Sequence, residues 1–208
     1  IPGGAMRLIL VRHGQTQWNV ERRFQGSSSD IELNEQGRRQ AWAAGEAMKA
    51  EKIDAIYSSP LSRARDTAQQ IAQHHDLQVT LETDFTEIDG GDLEGSPFGQ
   101  LPEEHPAFWK QWREGTGSIS CPGGESLDDV MERAWAALRR IRDRHHGDTV
   151  VVVCHTFTVI ALFLRALDLA PGLFRRLRLE VGSFTEIDLN GDQARLVKFN
   201  DTCHWKEV

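Results

Sequence analysis

Cysteine is scarce in this chain: three in 208 residues, Cys121, Cys154 and Cys203, widely separated and never spaced as Cys-x-x-Cys. An odd, scattered set builds no disulfide framework and suits a reducing compartment, so the expected location is cytoplasmic. No apolar run approaches the roughly 18 to 20 residues of a membrane-spanning helix. Residues 1–5, ahead of Met6, have neither the cationic start nor the apolar core of a secretion signal; they read as a cloning remnant and are set aside. Basic charge is short as well, 24 Lys and Arg against 31 Asp and Glu for a net charge of −7, with no long basic block. Neither nucleic acid nor a membrane is therefore an expected partner. What is present, 39% hydrophobic and 26% charged residues, suffices for one domain over residues 6–208 with a buried core. A homodimer is compatible with this and not required by it.

The hydrophobic pattern alternates strands and helices. Arg7 to Val11 is an unbroken apolar run that stops at Arg12-His13-Gly14, as in a buried parallel strand. A helix with Asn34 as its N-cap follows, with Gly37, Ala41, Ala44, Gly45 and Met48 on the face expected to lie close against the sheet. Ala55 to Ser59 reads as a strand closed by Pro60, then a helix with Leu61, Ala64, Ala68 and Ile71 on one face, then a strand from Gln78 to Leu81. Residues 87–124 are Gly- and Pro-rich with one short helical pattern, and read as a lid or insertion. Ser126 with Asp129 opens a long helix striped by Leu127, Val130, Ala134, Leu138 and Ile141. Thr149 to Cys154 is a second buried strand, ending at His155, with an apolar helix from about Thr158 to Leu167. Phe184–Leu189 and Ala194–Phe199 around Asn190-Gly191 carry a type I′ hairpin signal. The expected fold is α/β: three layers, α/β/α, with a mostly parallel central sheet and a hairpin at its edge.

Chemistry concentrates where strands end. The two apolar strands each deliver a histidine, His13 beside Arg12 and His155, to the edge where open α/β sheets bind ligands. One such histidine is more often a satisfied core residue; two at strand ends beside an arginine favour a site. The segment from Gly14 to Gly26 is dense in donors suited to an oxyanion. Arg63 falls in the first turn of a helix, off its apolar face, where an anion is favoured; alone it would read as a solvated surface arginine.

These residues resemble the histidine phosphatase superfamily, the phosphoglycerate-mutase-like proteins. The resemblance rests on Arg12-His13-Gly14 with Thr16-x-x-Asn19 and Gln25-Gly26, on Ser58-Ser59-Pro60-Leu61-x-Arg63-Ala64, and on Glu87 in Phe85-Thr86-Glu87-Ile88-Asp89-Gly90-Gly91-Asp92-Leu93-Glu94-Gly95. Pro122-Gly123-Gly124-Glu125-Ser126 and Val153-Cys154-His155 complete it, in the family's order, from Met6 to about Leu167. It implies a phosphoglycerate-mutase-like fold and a metal-independent, histidine acid-type phosphatase, that is, a phosphomonoester hydrolase on a small phosphorylated metabolite, with no cofactor. His13 would be the nucleophile, forming a phosphohistidine, and Glu87 the general acid and later the base. Arg12, Arg63 and His155 would stabilise the transferring charge, and Asn19, Gln25, Gly26 and Thr156 would complete the phosphate and substrate site. Thr156 departs from the family, which often has Gly after the second histidine.

Within the family, phosphatase is favoured over phosphoglycerate mutase because Ile88, not Arg, follows Glu87. In addition no Lys or Arg occurs between Arg65 and Lys110. The acidic segment is thus expected to offer no clamp for a second anion, to disfavour bisphosphates and to tolerate phosphoserine or a nucleoside-like phosphate. The pattern around Glu87 also looks like small bacterial phosphatases, among them broad-specificity, α-ribazole-phosphate and phosphoserine phosphatases. A catalytically silent phosphate-binding module is the remaining alternative, disfavoured because binding needs no general acid. The pairs His74-His75 and His145-His146 read as surface histidines rather than metal ligands, Trp109 and Trp112 as the lid's own packing, and Glu103-Glu104 as solvated.

Overall fold

The computed structural model describes residues 4–205 apart from Thr116 and Asp192. Residues 1–3 of the expected remnant and 206–208 of the expected domain lie outside the described residues. In chain order the elements are β1 (Met6–Arg12), α1 (Gln17–Glu21), α2 (Glu35–Met48), β2 (Ala55–Ser58), α3 (Ser62–Ala72) and β3 (Val79–Leu81). Then come α4 (Leu101–Glu104), α5 (Pro106–Glu114), α6 (Leu127–Arg142), β4 (Thr149–Cys154), α7 (Thr156–Ala166), β5 (Phe184–Asn190) and β6 (Gln193–Asp201). Among the described residues no helix is long and apolar enough to cross a membrane.

The six strands form one sheet in the order β3-β2-β4-β1-β5-β6. The first four are parallel and the β5–β6 hairpin is antiparallel at the edge, which is the architecture the pattern predicts. Side chains alternate across the sheet. Leu8, Leu10, Val150, Val152 and Ile187 face a core shared with α6 and α7, while Ile9, Val11, Val151, Val153 and Ile56 face α2 and α3. The central strands read as continuous apolar runs because both faces are covered.

Local signals act as expected at two caps. Asn34 accepts the Gly37 N–H at 2.8 Å, and Ser126 with Asp129 forms a capping box at α6. Other details differ. The small face of α2 lies against the loop after β1 and against α3 rather than against the sheet alone: a Cβ on Gly37 would sit 2.0 Å from the Gln15 carbonyl oxygen. The hairpin pairs Asn190 with Gln193, so Asn190 is the last paired residue of β5 rather than a turn residue; Asp192, and with it the turn type, lies outside the described residues. Residues 87–124 hold two helices, α4 and α5, not one. Their Leu93, Leu101, Phe108, Ile119 and Cys121 are buried in the α6–α7 core, so only part of this segment can act as a lid.

The histidine pairs separate. His146 is exposed, but His145 is half-buried between the Tyr57 hydroxyl (3.0 Å) and Asp148 (2.9 Å), and His74 faces Glu46 at 3.6 Å. Glu103 and Glu104 are exposed.

Candidate active site

The parallel pairing of β1 with β4 puts Arg12 opposite Cys154. One more ladder bond, His13 N–H to the Cys154 carbonyl at 3.1 Å, carries the register past the strand ends. His13 and His155 therefore emerge side by side, ring centroids 5.1 Å apart, and both are buried. His13 Nδ1 lies 2.7 Å from the Gly14 carbonyl. A carbonyl only accepts, so the proton sits on Nδ1 and the lone pair is left on Nε2. Burial, then the charges of Arg63 and Arg12, hold the His13 pKa well below its ordinary value. His155 is held low by burial and by Arg63, His13 and Arg12. Both imidazoles are neutral, as a nitrogen nucleophile must be.

Arg63 is fully buried, which dismisses the solvated-surface reading. It donates to two neutral carbonyls, Ser29 (2.9 Å) and Gly26 (3.0 Å), while its Nε is buried and unpartnered. Arg12 donates to the Leu179 carbonyl and likewise keeps an unpartnered, buried Nε. Burial lowers its pKa to about 10, against the opposing pull of Glu87, so it stays charged at neutral pH. The amide at the N-terminus of α3 is not open to a ligand: Asp30 accepts from both the Ser62 N–H (2.8 Å) and its hydroxyl (2.7 Å). Arg63, not the helix end, is what that motif offers an anion.

Asn19 and Gln25 are tied together. Asn19 Oδ1 caps α1 by accepting the Thr16 N–H at 2.9 Å, and Gln25 Oε1 accepts the Thr16 hydroxyl at 2.8 Å. Gln25 Nε2 is left buried without a partner. Gly26 is needed for close approach, since a Cβ there would lie 2.1 Å from Glu94 Oε1.

Glu87 is buried, and burial raises its pKa although backbone amides partly stabilise the carboxylate. Those amides are Ile88 N–H (2.9 Å) and Phe157 N–H (3.1 and 3.2 Å to the two oxygens). Among the described residues no ion pair joins Glu87 to Arg12 or Arg63, so the carboxyl is not an arginine clamp. Arg133 on α6 holds its loop, donating to the Thr86 (2.9 Å) and Glu87 (3.0 Å) carbonyls while paired with Glu125 at 2.8 Å. Glu125 in turn accepts the Asp89 N–H at 2.9 Å. Through Glu125 the Pro-Gly-Gly-Glu-Ser motif thus buttresses the loop that carries Glu87.

A chamber of about 200 Å³ is lined by Arg12, Asn19, Gln25, Glu87 and Thr156 together with Phe24, Phe98, Trp112 and Phe157. It shares Arg12, Asn19, Arg23, Phe98 and Trp112 with an outer cleft of about 980 Å³. Trp112 packs against Phe98, Phe108, Phe157 and Phe174, the packing role foreseen, and also walls both cavities. The acidic-cover expectation fails here. The stretch from Pro97 to Pro102 contributes only Pro97, Phe98, Gly99 and Pro102 to the outer cleft, whose charges are Arg12, Arg22, Arg23 and Arg178 against Glu21 and Glu180. Glu94 is turned inward onto the Gly26 N–H (3.1 Å). Arg22 and Arg23 belong to the donor-rich segment from Gly14 to Gly26; Arg178 has no sequence signal that announces a cleft.

The residues named from the sequence are therefore assembled at one edge of the sheet. Among the described residues no group of three or more His, Cys, Asp or Glu side chains could hold a metal ion. The profile of the histidine phosphatase superfamily (branch 1) matches residues 8–202. Phosphoserine phosphatase 1 of Hydrogenobacter thermophilus is 35% identical over 97% of this chain and 95% of its own. Phosphoglycerate mutase-like protein 4 of Arabidopsis thaliana is 37% identical over 97% and 87%. The structure of mycobacterial glucosyl-3-phosphoglycerate phosphatase with VO3 superposes with a TM-score of 0.86 at 32% identity, over 94% of this chain and 99% of its own.

Proposed function

The chain belongs to the histidine phosphatase superfamily, branch 1, and from that premise we propose that it hydrolyses small phosphomonoesters through a phosphohistidine on His13. The observation that carries this reading is a set of buried, unpartnered nitrogens: Arg12 Nε, Arg63 Nε and His155 Nδ1, whose side chains lie near the His13 imidazole, and Gln25 Nε2 on the chamber that Arg12 also lines. Buried donors without partners are rare in native structures, and a phosphoryl group would satisfy all four.

In the proposed reaction His13 Nε2 attacks phosphorus as the ester P–O bond breaks, and Glu87 gives its proton to the departing oxygen. The carboxylate then takes a proton from water, whose oxygen attacks the phosphohistidine, releasing phosphate and restoring His13. Positive charge from Arg12 and Arg63 supports both displacements, so no metal ion is called on.

The outer cleft supports a substrate with a second anionic group. Phosphoserine stays a candidate because its carboxylate, rather than its amine, suits Arg22; Arg178 on the same cleft is paired with Glu180 at 2.5 Å. The same arginines favour a second reading, phosphoglycerate mutase, which the charge of the cover no longer argues against; Ile88 after Glu87 still does. A cytoplasmic location is part of the proposal, resting on three free cysteines, as is a small-molecule partner rather than nucleic acid or membrane. Rapid quench during turnover should trap an acid-labile, base-stable phosphoprotein that is absent from His13→Ala. Phosphate release from phosphoserine, without interconversion of 2- and 3-phosphoglycerate, separates hydrolase from mutase. An acid-stable adduct would reject the phosphohistidine.

A further inference from the structure

Ser59 follows directly on β2 and is fully buried, with its N–H donating to the Val153 carbonyl at 3.0 Å. That bond continues the β2–β4 ladder just as His13 continues the β1–β4 ladder. Its hydroxyl oxygen lies 2.8 Å from His155 Nε2 and accepts the Leu61 N–H at 3.3 Å. Ser59 has one hydroxyl proton, and among the described residues His155 Nε2 is the acceptor within reach of it. If Nε2 carried the imidazole proton instead, that hydroxyl proton would be stranded in a fully buried position. The arrangement that satisfies every group has Ser59 donating to Nε2, which leaves the single imidazole proton on Nδ1. Nδ1 is the buried nitrogen with no protein partner.

We infer that Ser59 is a positioning residue that fixes His155 as its Nδ1–H tautomer, so that a neutral N–H donor faces the transferring phosphoryl group. The two active-site histidines are then the same tautomer, set in opposite ways. His13 is fixed by an acceptor on Nδ1, the Gly14 carbonyl, which frees the Nε2 lone pair for attack. His155 is fixed by a donor on Nε2, which frees its N–H for an oxyanion. Swapping the roles would set a lone pair against phosphate oxygens and repel them. The inference rests on the proposed phosphoryl-transfer site, yet the tautomer can be read without any turnover.

The test is ¹⁵N NMR of ¹⁵N-histidine-labelled wild type and Ser59→Ala, with the His155 signals assigned by their loss in His155→Gln. Wild type should show a protonated, pyrrole-type Nδ1 and a pyridine-type Nε2 at His155; Ser59→Ala should shift the population toward Nε2–H. Ser59→Thr, which keeps the hydroxyl, should restore the wild-type pattern. In single-turnover measurements Ser59→Ala should slow phosphoenzyme formation about tenfold, the worth of one hydrogen bond, with rescue by Ser59→Thr. An Nε2–H tautomer in wild type overturns the inference, even if Ser59→Ala fails to fold. So does a tautomer unchanged in Ser59→Ala, or one that switches with no change in rate. Absence of phosphate release from every ester by the wild type would instead strike at the hydrolase reading and leave the tautomer result standing.

Discussion

Replacing Glu87 by Gln isolates the proton it is proposed to deliver. The side chain's partners are the backbone amides of Ile88 and Phe157, at 2.9 and 3.1 Å from Oε1. A glutamine oxygen can accept from both, so the buttressed loop should hold its place and stability should change little. What disappears is a carboxyl whose pKa burial raises, and with it the proton for the leaving oxygen. An alkyl ester such as phosphoserine expels a strongly basic alkoxide, whereas p-nitrophenolate departs without help. General acid assistance is typically worth about 10² to 10⁴-fold, or about 3 to 5 kcal/mol of barrier. Phosphoenzyme formation from phosphoserine should fall by that factor, and from p-nitrophenyl phosphate by less than about tenfold. The assay must be single-turnover rapid quench, because Glu87 is also proposed to activate water in the dephosphorylation step that both substrates share. Equal losses for the two esters would refute the acid assignment and pass the role to another group, His155 first.

Two further perturbations test the electrostatics. Exhaustive chelation should leave the rate within about twofold and vanadate should inhibit, since Arg12 and Arg63 supply the charge a divalent ion would bring; activity lost to chelator and restored by magnesium or zinc rejects the mechanism. Stability without ligand should fall with pH below about 6.5: the unfolded chain then takes up protons that folded His13 and His155, both with lowered pKa, refuse. The slope is about 1 kcal/mol per histidine per pH unit, opposed by Glu87, whose raised pKa makes the folded state the better proton acceptor above the carboxylate range. Urea unfolding at pH 7 and pH 5.5 should show a smaller loss for His13→Asn than for wild type; identical losses would show that the histidine does not titrate as argued.

The placement of His13 beside His155 is legible because apolar strands that stop on a histidine leave little doubt where the side chain goes. Once β1 and β4 are both central and parallel, their ends must be adjacent, and the five motifs in register did the rest. The cover was not legible. Counting charges from Arg65 to Lys110 treats a segment as if every side chain faced the pocket. In the fold Glu94 turns onto Gly26 and Ser28, Asp89 onto Gly91, and the cleft receives the neutral residues between. Beyond Arg12, the cleft's arginines come from the end of α1 and from the loop before β5, positions that no local pattern connects. Ser59 carries no sequence signal of its own role, because a serine's value lies in which nitrogen it meets.

Burial at the sheet edge biases the protonation states that the proposed chemistry needs, in opposite directions for opposite charges. Desolvation penalises the charged form of any group: it lowers the pKa of His13, which suits the proposed nucleophile, and raises that of Glu87, which suits the proposed acid. The same penalty should neutralise the arginines, but they begin about six units higher than histidine, so even the lowered Arg12, at about 10, remains a cation. A pair of lysines there would start lower and strand their charge more readily, which gives a physical reason for guanidinium at both positions. The parallel sheet is thus part of the electrostatics. Placing β1, β4 and β2 side by side buries the residues at their ends, His13, His155 and Ser59, and that burial shifts the titrating groups there without a metal ion.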